Sequence, residues 1–323
     1  MAHLLHSLRT LAVSALCLPQ AWTAAYAQSP PQCPPAAQVP TAEQIRRAQT
    51  QARDHGFLWR ISKGGRTSHL YGTIHVGRME WSFPGPEVRR ALAASKTLAL
   101  ELDPSDPAEV ARMQAGMQAQ PLLPLPAALR QRLDQQAAAA CIPRAVLSAL
   151  HPVMQAVTYT VLVGRWDGLD PAWAQETALA RLAREARLPI VSLETVQLQS
   201  RLLIPDDPKE AVATIEQALA QLEQGRVRPM LVRMADIWER SDLAELERFE
   251  SWCECVTNAD EREAMRRLLD ERNPDLAEGI AAVHALGQEV FAAVGALHMV
   301  GPTGLPRLLA AKGFRVERVD FTR

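Results

Sequence analysis

The chain has 323 residues, a formal net charge of −1, and hydrophobic and charged fractions of 48% and 22%. That is enough chain to bury a full core in one large domain or two small ones. The near-neutral balance, with no basic excess, excludes nucleic acid as an expected partner.

Residues 1–27 read as a secretory leader. They carry one formal charge, Arg9, then the apolar run Leu11 to Leu18, and end in Ala25-Tyr26-Ala27, a small-x-small cleavage site. Cleavage is expected after Ala27, giving a periplasmic or secreted protein. The apolar run is too short for a permanent membrane anchor, and no later segment reads as a spanning helix. Cys17 goes with the leader; Leu16 before it argues against lipidation. Residues 28–40 are rich in Pro, Gln and Ser and read as a loose mature N-terminus. The remaining 41–323 read as one domain.

Thr41 can cap a helix with Glu43 and Gln44 in its first turn. Phe57–Ile61 and Ser68–Ile74 read as strands joined by the hairpin turn Lys63-Gly64-Gly65-Arg66. A short helix is expected over Pro86–Lys96 and an apolar strand over Thr97–Leu102, with Glu101 near its end. From Pro107 to about Gly287 apolar residues recur at helical spacing, as at Ala174, Ala178, Leu179 and Leu182. Pro126, Pro143, Pro152, Pro171, Pro208, Pro229 and Pro274 each suit a first helical turn. One strand interrupts this helical insert, Pro189–Leu193, ending at Glu194. The close of the chain reads as a strand over Glu289–Val294, a helix over Gly304–Lys312 with Gly313 as its cap glycine, and a strand over Phe314–Val319.

Two stretches look alike: Leu70-Tyr71-Gly72-Thr73-Ile74-His75-Val76-Gly77 and Ala293-Val294-Gly295-Ala296-Leu297-His298-Met299-Val300-Gly301. Each reads strand, Gly-x-x-His, helix, strand. Right-handed crossovers would make each strand pair parallel. The expected fold class is therefore α/β (α+β): a central mixed sheet built from the N- and C-terminal Gly-x-x-His units, with the helical insert as a cap. Ligands bind beyond the carboxyl ends of strands in such sheets. His75, His298, Glu101 and Glu194 all sit at expected carboxyl ends.

Either histidine alone reads better as a hydrogen-bonded core residue; the matching contexts reverse that preference. Gly72 and Gly295 would permit a close backbone approach or a positive φ. A carboxylate ending a buried strand is costly unless paired or metal-bound. Glu101 thus reads as a metal ligand or as the base for a metal-activated water, against the plain alternative of a solvated strand end. Glu194 could be a ligand, a partner that orients an imidazole, or a contact to the next helix. Arg272-Asn273 reads as a helix cap before a clamp for a substrate carboxylate. His55, His69, His151 and His284 have no motif and read as structural. No Gly-x-Ser-x-Gly elbow, phosphate loop or His-Glu-x-x-His is present.

Beyond the leader, Cys33, Cys141, Cys253 and Cys255 remain. An even count in an oxidising compartment suggests disulfides. Cys253 and Cys255, two apart, are expected each to pair with Cys33 or Cys141 rather than with each other. A zinc site on Cys253-Glu254-Cys255 is the weaker alternative.

On these residues the chain resembles the TraB/GumN family, which includes the Tiki-type metalloproteases. The resemblance runs from about Phe57 to Val319. It rests on the two Gly-x-x-His stretches and Glu101, supported by Asp167-Gly168-Leu169-Asp170, Leu193-Glu194-Thr195 and Arg272-Asn273. It implies a sheet flanked by helices and a metal-dependent hydrolytic centre carried by His75, Glu101 and His298. In Tiki-type proteins the activity is peptide cleavage supported by manganese or cobalt. The expectation is a metal-dependent hydrolase of peptides or another small hydrolysable substrate. Manganese or zinc would be the cofactor, with cobalt able to substitute in vitro. The rivals are a haem- or metal-binding carrier without turnover and a non-catalytic accessory of surface-polymer export.

Overall fold

In the computed structural model, which describes residues 32–118 and 123–322, the two ends of the chain interleave in one six-stranded mixed sheet. The leader expected over 1–27, its cleavage site and Cys17 lie outside the described residues. The strands are β1 (Phe57–Lys63), β2 (Arg66–Thr73), β3 (Thr97–Leu100), β4 (Ile190–Ser192), β5 (Val290–Gly295) and β6 (Arg315–Val319), in the order β4-β3-β5-β2-β1-β6.

The hairpin forms as the sequence predicts. Gly64 and Gly65 take φ of 59° and 76°, the paired positive values that a tight hairpin turn requires. β1 runs antiparallel to both β2 and β6, whereas β4, β3, β5 and β2 run parallel to one another. The two C-terminal strands therefore do not pair with each other: β5 enters between β2 and β3, while β6 closes the far edge against β1. Burial explains the placement. β3 and β5 are buried at every residue, as uninterrupted apolar strands in the middle of a parallel sheet must be. β6, Arg-Val-Glu-Arg-Val, carries charges suited to a solvated edge.

The middle is helical, with β4 as its strand. Pro152, Pro171, Pro208 and Pro274 occupy first-turn positions, as expected. The helix after Thr41 spans Ala42–Thr50 and carries a full capping box between Thr41 and Gln44. Part of the insert packs around a second apolar cluster that includes Leu129, Leu133, Val153, Ile215 and Leu219. Residues 32–40 have no regular secondary structure, but Cys33 is tied by a disulfide and Ala37 N–H donates to Asp170 Oδ2 at 3.1 Å. Among the described residues no helix is long and apolar enough to cross a membrane.

The disulfide expectation is corrected. The pairs are Cys33–Cys141 and Cys253–Cys255, not a cross-pairing of the two sets. Cys253 caps the short helix Phe249–Trp252. Glu254 then turns the chain with φ 53°, which brings the two Cα atoms to 5.0 Å. That left-handed residue supplies the reversal a two-residue spacing needs, and a Glu there gives no local warning of it. With both cysteines in a disulfide, the zinc alternative falls too.

Candidate metal centre

The register of the sheet brings the two Gly-x-x-His units side by side. β2 and β5 are neighbours, with Gly72 opposite Val294 and Thr73 opposite Gly295. Leu100 lies opposite both Ala293 and Ser192. The four parallel strands thus end on one edge, in the order Glu194, Glu101, His298, His75. A slip of one residue would flip each set of side chains to the opposite face.

The two glycines act through close approach, not positive φ; neither is in the left-handed region. A Cβ on Gly72 would stand 3.1 Å from Met299 Cγ and 3.3 Å from Ala296 Cα, so this glycine lets β2 pack against the turn after β5. A Cβ on Gly295 would stand 3.4 Å from Glu101 Oε1, 3.5 Å from His75 Nε2 and 3.6 Å from His298 Cδ2. Three groups from distant segments of the chain therefore face one small point that glycine leaves open.

Each imidazole is held by its Nδ1; His75 turns its Nε2, and His298 its Cδ2 edge, towards Gly295. His298, on the turn Ala296–Met299, is buried, and its Nδ1 lies 2.6 Å from Asn273 Oδ1. Asn273 Nδ2 donates to the Thr303 carbonyl at 3.0 Å, which fixes which amide atom faces the ring and puts the imidazole proton on Nδ1. His75 sits on a bend after β2, with its side chain 69% exposed and Nδ1 3.1 Å from Glu176 Oε1. Thr73 Oγ1 donates to the same Glu176 oxygen. The bend is pinned from the insert: Gly77 and Asp170 exchange backbone hydrogen bonds at 3.1 and 2.9 Å, and Gln175 N–H donates to the Ile74 carbonyl at 3.1 Å. This is what the Asp167-Gly168-Leu169-Asp170 stretch does.

The carboxylates converge on one guanidinium. Glu101 Oε1 accepts the Gly295 N–H at 2.8 Å, and Oε2 accepts from Arg272 Nη2 at 2.6 Å. Arg272 also forks onto Glu194 at 2.8 and 2.6 Å. Gln199 Nε2 donates to Glu194 at 2.9 Å and to Glu101 at 3.4 Å. The expected capping role of Arg272 is corrected: it stands at the N-cap position of the helix Asn273–Ala285 but makes no side-chain cap. Its planar fork instead neutralises two buried carboxylates. Nor does Glu194 contact the next helix as a cap; Thr195 does that, accepting from Leu198 N–H.

Charge sets the protonation states. The Glu176 carboxylate beside it favours the protonated form of His75, pushed up to about 9. Burial pushes His298 down to about 4, so its Nε2 carries a free lone pair at neutral pH. Burial works against ionisation of Glu101, yet the nearby imidazoles, Arg272 and the Gly295 N–H outweigh it and bring the carboxyl down to about 2. Replacing Glu176 by Gln is therefore expected to return His75 towards the ordinary value of about 6.5, read by NMR titration of labelled histidine in chelator. Folding raises this pKa, so the ion pair's stabilisation is complete below about 6.5 and fades as pH climbs through about 9. The variant should lack that alkaline loss. An unmoved titration would show that Glu176 does not hold the proton.

The four other histidines among the described residues lie away from this point. His284 bonds Ser68 Oγ and the Lys63 carbonyl, His55 the Glu239 carbonyl, and His151 accepts from Val153 N–H. His69 lies on β2 with its ring near Phe291. Sequence reasoning misses Glu176, Thr73 and Gln199. Thr73 lies inside a motif, but Glu176 and Gln199 sit on amphipathic helices, where a polar residue reads as solvated.

The residue types suit a first-row divalent ion: two imidazoles and a carboxylate around one point, each imidazole oriented through its Nδ1. Among the described residues no three His, Cys, Asp or Glu side chains are already drawn together as a ligand set.

A family model described as the TraB/PrgY/gumN family matches residues 57–318. No curated protein and no solved structure matches the chain.

Proposed function

Since the chain belongs to the TraB/PrgY/gumN family, we propose that it is a metal-dependent hydrolase of peptides working in the periplasm or outside the cell. The reading rests on one observation: His75 Nε2, His298 and Glu101 meet at the open face of Gly295. His75, His298 and Glu101 would hold manganese or zinc, with cobalt as a substitute in vitro. A bound divalent ion polarises a carbonyl and lowers the pKa of water.

The chain's own groups divide the remaining work. His298 offers a neutral nitrogen, fixed by Asn273 from a buried turn. Glu101 is ionised and aimed by the Gly295 N–H and Arg272, so it can accept a proton from water without first losing one of its own. Arg272 and Glu194 keep that carboxylate from turning away. His75 would release its Nε2 proton to hold the ion, with its Nδ1–H kept on Glu176. The two disulfides suit an oxidising compartment, in keeping with the leader expected over residues 1–27.

Purified protein loaded with Mn²⁺, Zn²⁺ or Co²⁺ should cleave members of a peptide library. Cleavage should stop on chelation and in His75→Ala and His298→Ala. A haem Soret band with no cleavage under any of the three ions would overturn the hydrolase and favour a carrier.

A further inference from the structure

A cavity of about 370 Å³ opens beside His75 and Glu101. Its far wall is apolar: Leu102 after β3, Met113 on the helix Pro107–Gly116, Leu202 and Leu203 at the end of the helix Val196–Leu203, and Leu268 at the end of Ala259–Leu268. Met113, Leu202, Leu203 and Leu268 are only half-buried. The insert thus leaves four large apolar side chains partly in water, around a hollow whose floor is the proposed centre.

The polar groups at the floor are already engaged. Arg272, the cation that could meet a phosphate or carboxylate, is committed to Glu101, Glu194 and the Leu268 carbonyl. Gln199 is bound to the same two carboxylates, and Glu176 to His75 and Thr73. Glu101 and Glu194 share the Arg272 guanidinium and Glu176 pairs with His75, so each cation at this floor already faces a carboxylate. Sugar hydroxyls in the hollow would lie against leucines, unpaired and desolvated. An apolar wall with a few convergent polar groups, at the small end of the usual 300–1,000 Å³ range, is the form of a side-chain pocket.

We infer that this cavity receives an uncharged apolar side chain of leucine, methionine or phenylalanine size, on the residue next to the bond cleaved. The inference rests on the hydrolytic reading only for that bond; the pocket's preference is a matter of binding. It excludes nucleotides, phosphoesters and acidic glycans from this part of the site.

Two measurements separate the claims. Methyl-labelled methionine, assigned through Met113→Leu, reports occupancy without turnover. The Met113 resonance should shift with N-acetyl-leucinamide and not with N-acetyl-aspartamide or maltose, and Leu203→Asp should abolish the shift. In a peptide library with one varied position, the metal-loaded protein should prefer Leu, Met or Phe over Ala by about 10–200-fold. Leu203→Asp should erase that preference while melting near the wild type; Met113→Ala, which only enlarges the hollow, is the second variant if it does not fold. A Met113 shift without any cleavage would sink the hydrolase and leave the pocket standing. Cleavage with no apolar preference and no Met113 shift would overturn the pocket and leave the hydrolase standing.

Discussion

Arg272→Ala is expected to destabilise the protein by about 3–5 kcal/mol, because it strands buried carboxylates without their counter-charge. The side chains of Arg272, Glu101 and Glu194 are 11%, 10% and 2% exposed, so solvent screens the group little. Such a loss should lower the melting temperature by roughly 10 °C in a chain of this size. Arg272→Lys keeps the charge but cannot fork onto two carboxylates, and should fall between the two. The sign of the pH dependence is fixed. Arg272 helps hold the Glu101 carboxyl low, so without the guanidinium Glu101 takes up its proton at higher pH in the folded state and the penalty shrinks as pH falls. A melting temperature within about 2 °C of wild type at neutral pH would show that the carboxylates are solvated or protonated without Arg272.

Glu101→Gln is expected to lose most of the activity while both imidazoles stay in place. As the proposed base, its removal should lower kcat by about 10²–10⁴-fold with little change in KM. The fold has reason to survive: the amide oxygen can still accept the Gly295 N–H, and Arg272 keeps both bonds to Glu194. Glu194→Gln is the control. Glu194 bonds Arg272 and Gln199 and is not among the groups that meet at Gly295, so its loss should act through the aim of Glu101 and cost less. Equal losses from the two variants would move the base away from Glu101 and leave Arg272 with both carboxylates as a single structural unit.

The strand ends were legible because an apolar run that stops at a charge or at Gly-x-x-His is a local pattern. The strands expected over Thr97–Leu102 and Glu289–Val294 form as buried strands over Thr97–Leu100 and Val290–Gly295, with Glu101 and His298 beyond their carboxyl ends. The same logic failed where the decisive partner was remote. Arg272 stands at a helix start and locally reads as a cap, yet it serves carboxylates 171 and 78 residues away. Glu176 is an ordinary acid in a first helical turn until the sheet places His75 over it. The disulfide pairing turned on a positive φ at Glu254, a residue type that rarely adopts one.

By itself the sequence determined the strands, the helical insert and the histidines and carboxylates at strand ends, because periodicity and burial act over a few residues of backbone. Only the tertiary structure decided that β5 enters between β2 and β3. That choice of neighbours puts Gly295 among Glu101, His75 and His298. Strand order depends on which buried edges of distant segments fit together once the core closes, and no local pattern along the chain encodes it.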